Sequence, residues 1–132
     1  MTRFWITLEQ GVAFVLSSLA LMRGGEIFVP KIPSMKITDI ANAIAPKLKH
    51  HIVGIRPGEK LHEVMITEDD ARMTAELVDR YVICPMMEGW RRDHLDKIGA
   101  KPVEDGFRYA SDRNAEWLDA KALGALIKRK AR

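Results

Sequence analysis

A chain of 132 residues, 47% of them hydrophobic, has the make-up of one folded domain burying roughly two-thirds of its unfolded surface. No apolar run approaches the ~18 residues of a membrane span, no export signal is readable, and the single Cys84 excludes an internal disulfide framework, which together point to the cytoplasm. The net charge of +3 belongs to a basic tail at residues 128–132: without Lys128, Arg129, Lys130 and Arg132, 17 basic residues face 18 acids, so no nucleic-acid face is expected.

Phe4-Trp5-Ile6 reads as a short extended segment. Thr7-Leu8-Glu9-Gln10 then has the form of a capping box, in which the threonine hydroxyl accepts from the Gln10 N–H and the glutamine side chain reaches back. Leu8, Val12, Val15, Leu16 and Leu19 recur at helical spacing until Gly24-Gly25 stops the helix. A strand over Glu26 to Val29 is closed by Pro30 and Pro33. A second helix runs from about Ile37 to Ala45, where Pro46 ends it. His51 to Ile55 is an apolar run that predicts a strand. Leu61 to Met65 reads as a short helix or irregular segment, Thr74 to Val78 and Tyr81 to Cys84 as strands, and Met86 to Gly106 mostly as loop. Asp119 caps a last helix carrying Leu123, Leu126 and Ile127. The alternation of helix and strand argues an α/β class.

Between the His51–Ile55 run and Leu61, Pro57 and Gly58 stand at the two central positions of a type II turn, where proline presets φ and glycine accepts a positive one. The turn fixes Arg56 in place. A guanidinium there can grip two oxygens of a phosphate or carboxylate, or, in the plainer reading, pair with Glu59 on the surface. Metal chemistry finds no support. His62-Glu63 opens a H-E-x-x-H pattern that Ile66 breaks, His50 and His51 are adjacent and make a poor ligand pair, and Glu68-Asp69-Asp70 lacks further oxygen donors. Cys84 stands in an apolar strand as a small buried hydrophobe, not a nucleophile.

The segments Met1-Thr2-Arg3-Phe4-Trp5-Ile6-Thr7-Leu8-Glu9-Gln10, Gly25-Glu26-Ile27-Phe28-Val29-Pro30-Lys31 and Gly54-Ile55-Arg56-Pro57-Gly58-Glu59-Lys60-Leu61-His62-Glu63, in that order, resemble the C-terminal part of the inverting UDP-N-acetylglucosamine 4,6-dehydratases, of the extended short-chain dehydrogenase/reductase superfamily. Tyr109-Ala110-Ser111-Asp112-Arg113-Asn114-Ala115-Glu116-Trp117-Leu118 resembles the family stretch that closes over the nucleotide end of the substrate. The fold implied is a C-terminal substrate-binding lobe, residues 1–127, lacking the N-terminal Rossmann nucleotide-binding domain. Consistent with this, the chain has no G-x-G-x-x-G, and neither Tyr81 nor Tyr109 is followed four residues later by lysine. No catalytic, cofactor-binding or metal residue is therefore assigned, and the chain alone is expected to be inactive.

The resemblance implies a lyase that uses NADP in its full-length form, oxidises the sugar at C4, removes water across C5–C6 and returns hydride to C6 with inversion at C5. It also implies a full-length homo-oligomer serving bacterial surface-glycan or nonulosonic (pseudaminic) acid biosynthesis, with no nucleic-acid or membrane partner. In this chain Arg56 would neutralise the UDP diphosphate, and Tyr109, Ser111 and Asn114 would order the nucleotide. Two alternatives stay open: a fragment of a retaining UDP-sugar 4,6-dehydratase, and a non-catalytic UDP-sugar-binding module. Phe4-Trp5-Ile6 and one face of the first helix are expected to pack against the nucleotide domain and, without it, to leave an apolar patch through which the chain self-associates.

Overall fold

The computed structural model describes residues 1–130, with side chains described through residue 126. The basic tail at residues 128–132 lies outside the residues so described. The remaining chain divides into two compact units, each discontinuous in sequence.

The first unit comprises residues 1–5, 32–63 and the described residues from 110 onward. Its ladder joins β1 (Thr2–Phe4) to β3 (Ser34–Lys36) antiparallel, with Thr2 opposite Lys36 and Phe4 opposite Ser34. The expected Phe4–Ile6 extended segment is thus observed two residues earlier. Helix α2 (Ile37–Ile44) follows β3 without a loop and packs against α4 (Ala120–Lys130). The Asp119 carboxylate accepts from the Ala122 N–H at 2.6 Å, the N-cap read from the sequence. Met35 and Leu123 are fully buried here.

One expectation fails in this unit. His51 to Ile55 forms no strand. Gly54 has a φ of +82°, which breaks an extended backbone, and every residue from 46 to 61 is exposed. Apolar content gave the run strand character, but a strand also needs a ladder partner.

The second unit comprises residues 6–31 and 64–109. Its centre is a four-stranded antiparallel sheet in the order β2 (Ile27–Pro30), β6 (Arg80–Ile83), β5 (Thr74–Glu76), β7 (Lys101–Pro102). The ladders set Phe28 opposite Val82, Ala75 opposite Val82, and Ala75 opposite Pro102. Pro30 and Pro102 both lie on edge strands, where a missing N–H costs no ladder bond. Leu77, Val82 and Leu95 form the buried cluster, with Phe28, Cys84, Trp90 and Ala100 packed on it. Leu95 comes from the one-turn helix α3 (Asp93–Asp96), which, with β7, interrupts the stretch expected to be mostly loop. The short strands β4 (Val64–Ile66) and β8 (Tyr109–Ala110) complete the elements.

Helix α1 (Leu8–Leu21) opens with the expected capping box: Gln10 N–H donates to Thr7 Oγ1 at 3.2 Å, and Thr7 N–H to Gln10 Oε1 at 3.0 Å. The helix is held to its unit by polar contacts. Arg80, only 4% exposed, donates to Ser18 Oγ at 2.9 Å and to Ser17 Oγ at 2.7 Å, lies over the Phe14 ring, and grips both oxygens of Asp79. The chain therefore mixes helix and strand as read from the sequence, and the ladders named here are antiparallel.

Candidate functional site

The turn at Arg56-Pro57-Gly58-Glu59 forms as its residues require. Glu59 N–H donates to the Arg56 carbonyl at 3.1 Å, and Gly58 has a φ of +80°. The Glu59 carboxylate accepts from the Arg56 backbone N–H at 3.1 Å, which closes the turn a second time. The Arg56 guanidinium is exposed and has no ion-pair partner among the described residues. Glu59 thus braces the turn through the backbone and leaves the cation to solvent.

Behind the turn, the chain is fastened to β1. Arg3 donates to the Lys60 carbonyl at 2.8 Å and its Nε lies 3.5 Å from Glu63, while Thr2 N–H donates to the Leu61 carbonyl at 3.0 Å. Ser111 locks the same segment. Its N–H donates to the Glu63 carbonyl at 2.8 Å and its Oγ accepts from the Glu63 N–H at 2.9 Å. Ser111 Oγ also meets Thr2 Oγ1 at 2.7 Å, and Thr2 Oγ1 meets His62 Nδ1 at 2.8 Å. Ser111 is fully buried. Its hydroxyl is therefore committed to holding the exit of the turn.

Asn114 has a comparable role three residues on. Its Nδ2 donates to the Ile32 carbonyl at 2.7 Å and to Ser34 Oγ at 3.0 Å. The Asn114 carbonyl accepts from Trp117 Nε1 at 2.7 Å. Ser34 N–H donates to the Glu116 carbonyl, and Leu118 N–H to the Ser34 carbonyl, both at 2.8 Å, so residues 114–118 run parallel to β3 at Ser34. Tyr109 lies in the second unit, 5% exposed, with its ring 5.0 Å from that of Tyr81. Lys31 stands over the other aromatic of this pair, 4.9 Å from the Tyr81 centroid, and is held there by Glu76 at 2.7 Å.

The structure thus places Arg56, Ser111 and Asn114 in one unit and Tyr109 in the other. Thr2, Arg3, His62 and Glu63 were not expected as supports of the turn. Their contacts cross 48 to 109 residues of sequence, and no local pattern carries such a signal.

The N-terminus of α1 does not fit a dinucleotide pyrophosphate. A pyrophosphate needs a helix N-terminus opened by a glycine turn. The N-terminus of α1 is closed by Thr7 and Gln10, and Gly24-Gly25 follow its opposite end. Among the described residues, no group of three or more His, Cys, Asp or Glu could hold a metal ion. Burial pushes the Cys84 thiol up, as befits a packing residue.

Residues 1–85 match the family described as polysaccharide biosynthesis protein. The chain belongs to this family. It is 53% identical over 132 residues to the UDP-N-acetylglucosamine 4,6-dehydratase (inverting) of Campylobacter jejuni, covering 96% of this chain and 40% of that protein. It is also 36% identical over 87 residues to the UDP-glucose 4-epimerase of Rickettsia canadensis, covering 63% of this chain and 26% of that enzyme. The X-ray structure of Pen from Bacillus thuringiensis superposes on 99% of this chain and 39% of its own, with a TM-score of 0.78 and 26% identity. The chain therefore spans about two-fifths of the length of the dehydratase, and the likeness to the inverting dehydratases read from its motifs is borne out. No described helix is long and apolar enough to cross a membrane.

Proposed function

We propose that this chain is the UDP-sugar-binding part of an NADP-dependent, C5-inverting UDP-N-acetylglucosamine 4,6-dehydratase of bacterial surface-glycan biosynthesis. The observation that carries the proposal is the exposed Arg56 guanidinium on a turn closed by two hydrogen bonds and fastened from behind by Arg3, Thr2 and Ser111. The turn fixes the Arg56 backbone, so only its side chain must be ordered to meet a diphosphate, and remote binding energy of this kind becomes orientation at a reacting centre. Ser111 and Asn114 belong to the same proposed site and shape it through the bonds they already make. NADP would be held by residues outside this chain.

The names of the relatives support this reading. A dehydratase and an epimerase that both carry UDP-sugars in their names are similar to this chain, and the dehydratase match extends over 96% of the chain against 63% for the epimerase. Calorimetric titration of UDP into the chain and into Arg56→Ala tests the proposal.

A further inference from the structure

The residues that leave the Arg56 turn are fastened one by one. Thr2 N–H donates to the Leu61 carbonyl at 3.0 Å, Ser111 holds Glu63 at both its N–H and its carbonyl, and between them His62 is reached through its side chain. That side chain ends a line of polar groups within the first unit. Glu63 N–H donates to Ser111 Oγ at 2.9 Å, Ser111 Oγ lies 2.7 Å from Thr2 Oγ1, and Thr2 Oγ1 lies 2.8 Å from His62 Nδ1. Ser111 has no exposed surface and Thr2 is 6% exposed, so bulk solvent does not satisfy either hydroxyl.

The hydrogens available along this line fix its direction. Each hydroxyl carries one hydrogen, and the contacts at 2.7 and 2.8 Å need one each. With a bare Nδ1, Thr2 donates to His62, Ser111 donates to Thr2, and Ser111 accepts from Glu63. No hydrogen is left over. With a hydrogen on Nδ1, in the other tautomer or in the imidazolium, that hydrogen fills the contact between His62 and Thr2. One hydroxyl hydrogen is then buried without an acceptor among the described residues, which is costly away from water.

We infer that His62 is a positioning residue of the Arg56 turn, with its hydrogen on Nε2 and a bare Nδ1 that sets the direction of the Thr2 and Ser111 hydroxyls. This rests on the reading of Arg56 as the diphosphate-binding group of a UDP-sugar site. It adds to that site a residue that acts through the cation: the relay holds residues 61–63, and the turn that carries Arg56 stands directly before them. The role requires an acceptor at one place rather than a ring. Asparagine offers an amide oxygen close to where Nδ1 stands, whereas phenylalanine keeps the ring and removes the acceptor.

Imidazole nitrogen NMR of the full chain tests the direction. The expected spectrum has a bare, hydrogen-bonded Nδ1 and a protonated Nε2, and Thr2→Val should erase the shift that hydrogen bonding gives Nδ1. His62→Phe should speed amide exchange at Thr2, whose N–H holds Leu61, and should lower UDP affinity about fivefold, less than loss of the cation itself. His62→Asn should restore most of both. In an Arg56→Ala background, His62→Phe should lower UDP affinity no further, because the relay acts through Arg56. A hydrogen on Nδ1 in the parent chain would overturn the inference. So would a His62→Phe protein with parent-like Thr2 exchange and UDP affinity, or a loss that asparagine fails to restore. If the parent chain binds no UDP, the reading of Arg56 falls instead, and the nitrogen spectrum and Thr2 exchange still decide the role of His62.

Discussion

Ser111→Ala removes one oxygen from the point where three segments of the first unit meet. Ser111 Oγ accepts the Glu63 N–H at 2.9 Å and lies 2.7 Å from Thr2 Oγ1, in a residue with no exposed surface. Alanine fills nearly the same space, so the cost comes from polar groups that lose their partner. A donor left unsatisfied away from water costs about 1–3 kcal/mol, and the Glu63 N–H would be such a donor. For a chain of this length each kcal/mol lowers Tm by roughly 3–5 °C. Thr2→Val removes the Oγ1 contacts to Ser111 and to His62 but leaves the Glu63 N–H bonded to Ser111 Oγ, so it should destabilise the chain without faster exchange at Glu63. The two substitutions should also be coupled, since they share one network, and a double-mutant cycle should return an interaction term of about 0.5–3 kcal/mol. Thermal melts of the four proteins measure this, and amide hydrogen exchange should show faster exchange at Glu63 in Ser111→Ala. A Ser111→Ala protein with unchanged Tm and an unchanged Glu63 amide would refute the assignment of Ser111 as the lock behind the turn.

Gly58→Ala should destabilise the chain by about 1–2 kcal/mol, because φ at +80° strains any L side chain although the space around it is open; thermal melts read the loss, and UDP affinity should fall with it if the turn positions Arg56. Asp79 supplies a pH test. The hydrogen bond from Arg80 outweighs partial burial and holds the Asp79 carboxyl below its ordinary value. A lowered folded value means that the stabilisation is complete above the ordinary value of 3.8 and is lost as pH falls through the lower folded one. The gap in stability between the parent chain and Asp79→Asn should therefore be full at pH 6 and close progressively below pH ~4, as acid titrations of Tm will show.

What could be read from the sequence was local. The capping box at Thr7 and Gln10, the Pro57–Gly58 turn and the Asp119 cap each involve residues two or three apart, and each forms with the expected partners. His51 to Ile55 shows the opposite case. Its composition favours strand, yet Gly54 adopts a positive φ and no ladder receives the segment. Short strands such as β3 and β7 were invisible for the complementary reason: Ser-Met-Lys and Lys-Pro have no periodicity, and pairing with β1 or β5 makes them strands. The candidate site divides along the same line. Arg56 was legible because proline and glycine announce a turn. Thr2, Arg3 and His62, which fasten that turn, were not, because groups 57 to 60 residues apart meet only once the chain is folded.

The central claim is that Arg56 is the anion-binding group of a UDP-sugar site. A charge-assisted contact of this kind is worth roughly 1.5–3 kcal/mol, about ten- to a hundredfold in affinity. Isothermal titration of UDP into the parent chain, Arg56→Ala and Arg56→Lys measures it directly. The account predicts a ten- to hundredfold loss for alanine and partial recovery for lysine, whose point charge cannot reproduce the two-pronged grip, with Tm unchanged because the guanidinium supports nothing else. Equal UDP affinity in all three proteins would contradict it and leave the turn as scaffolding.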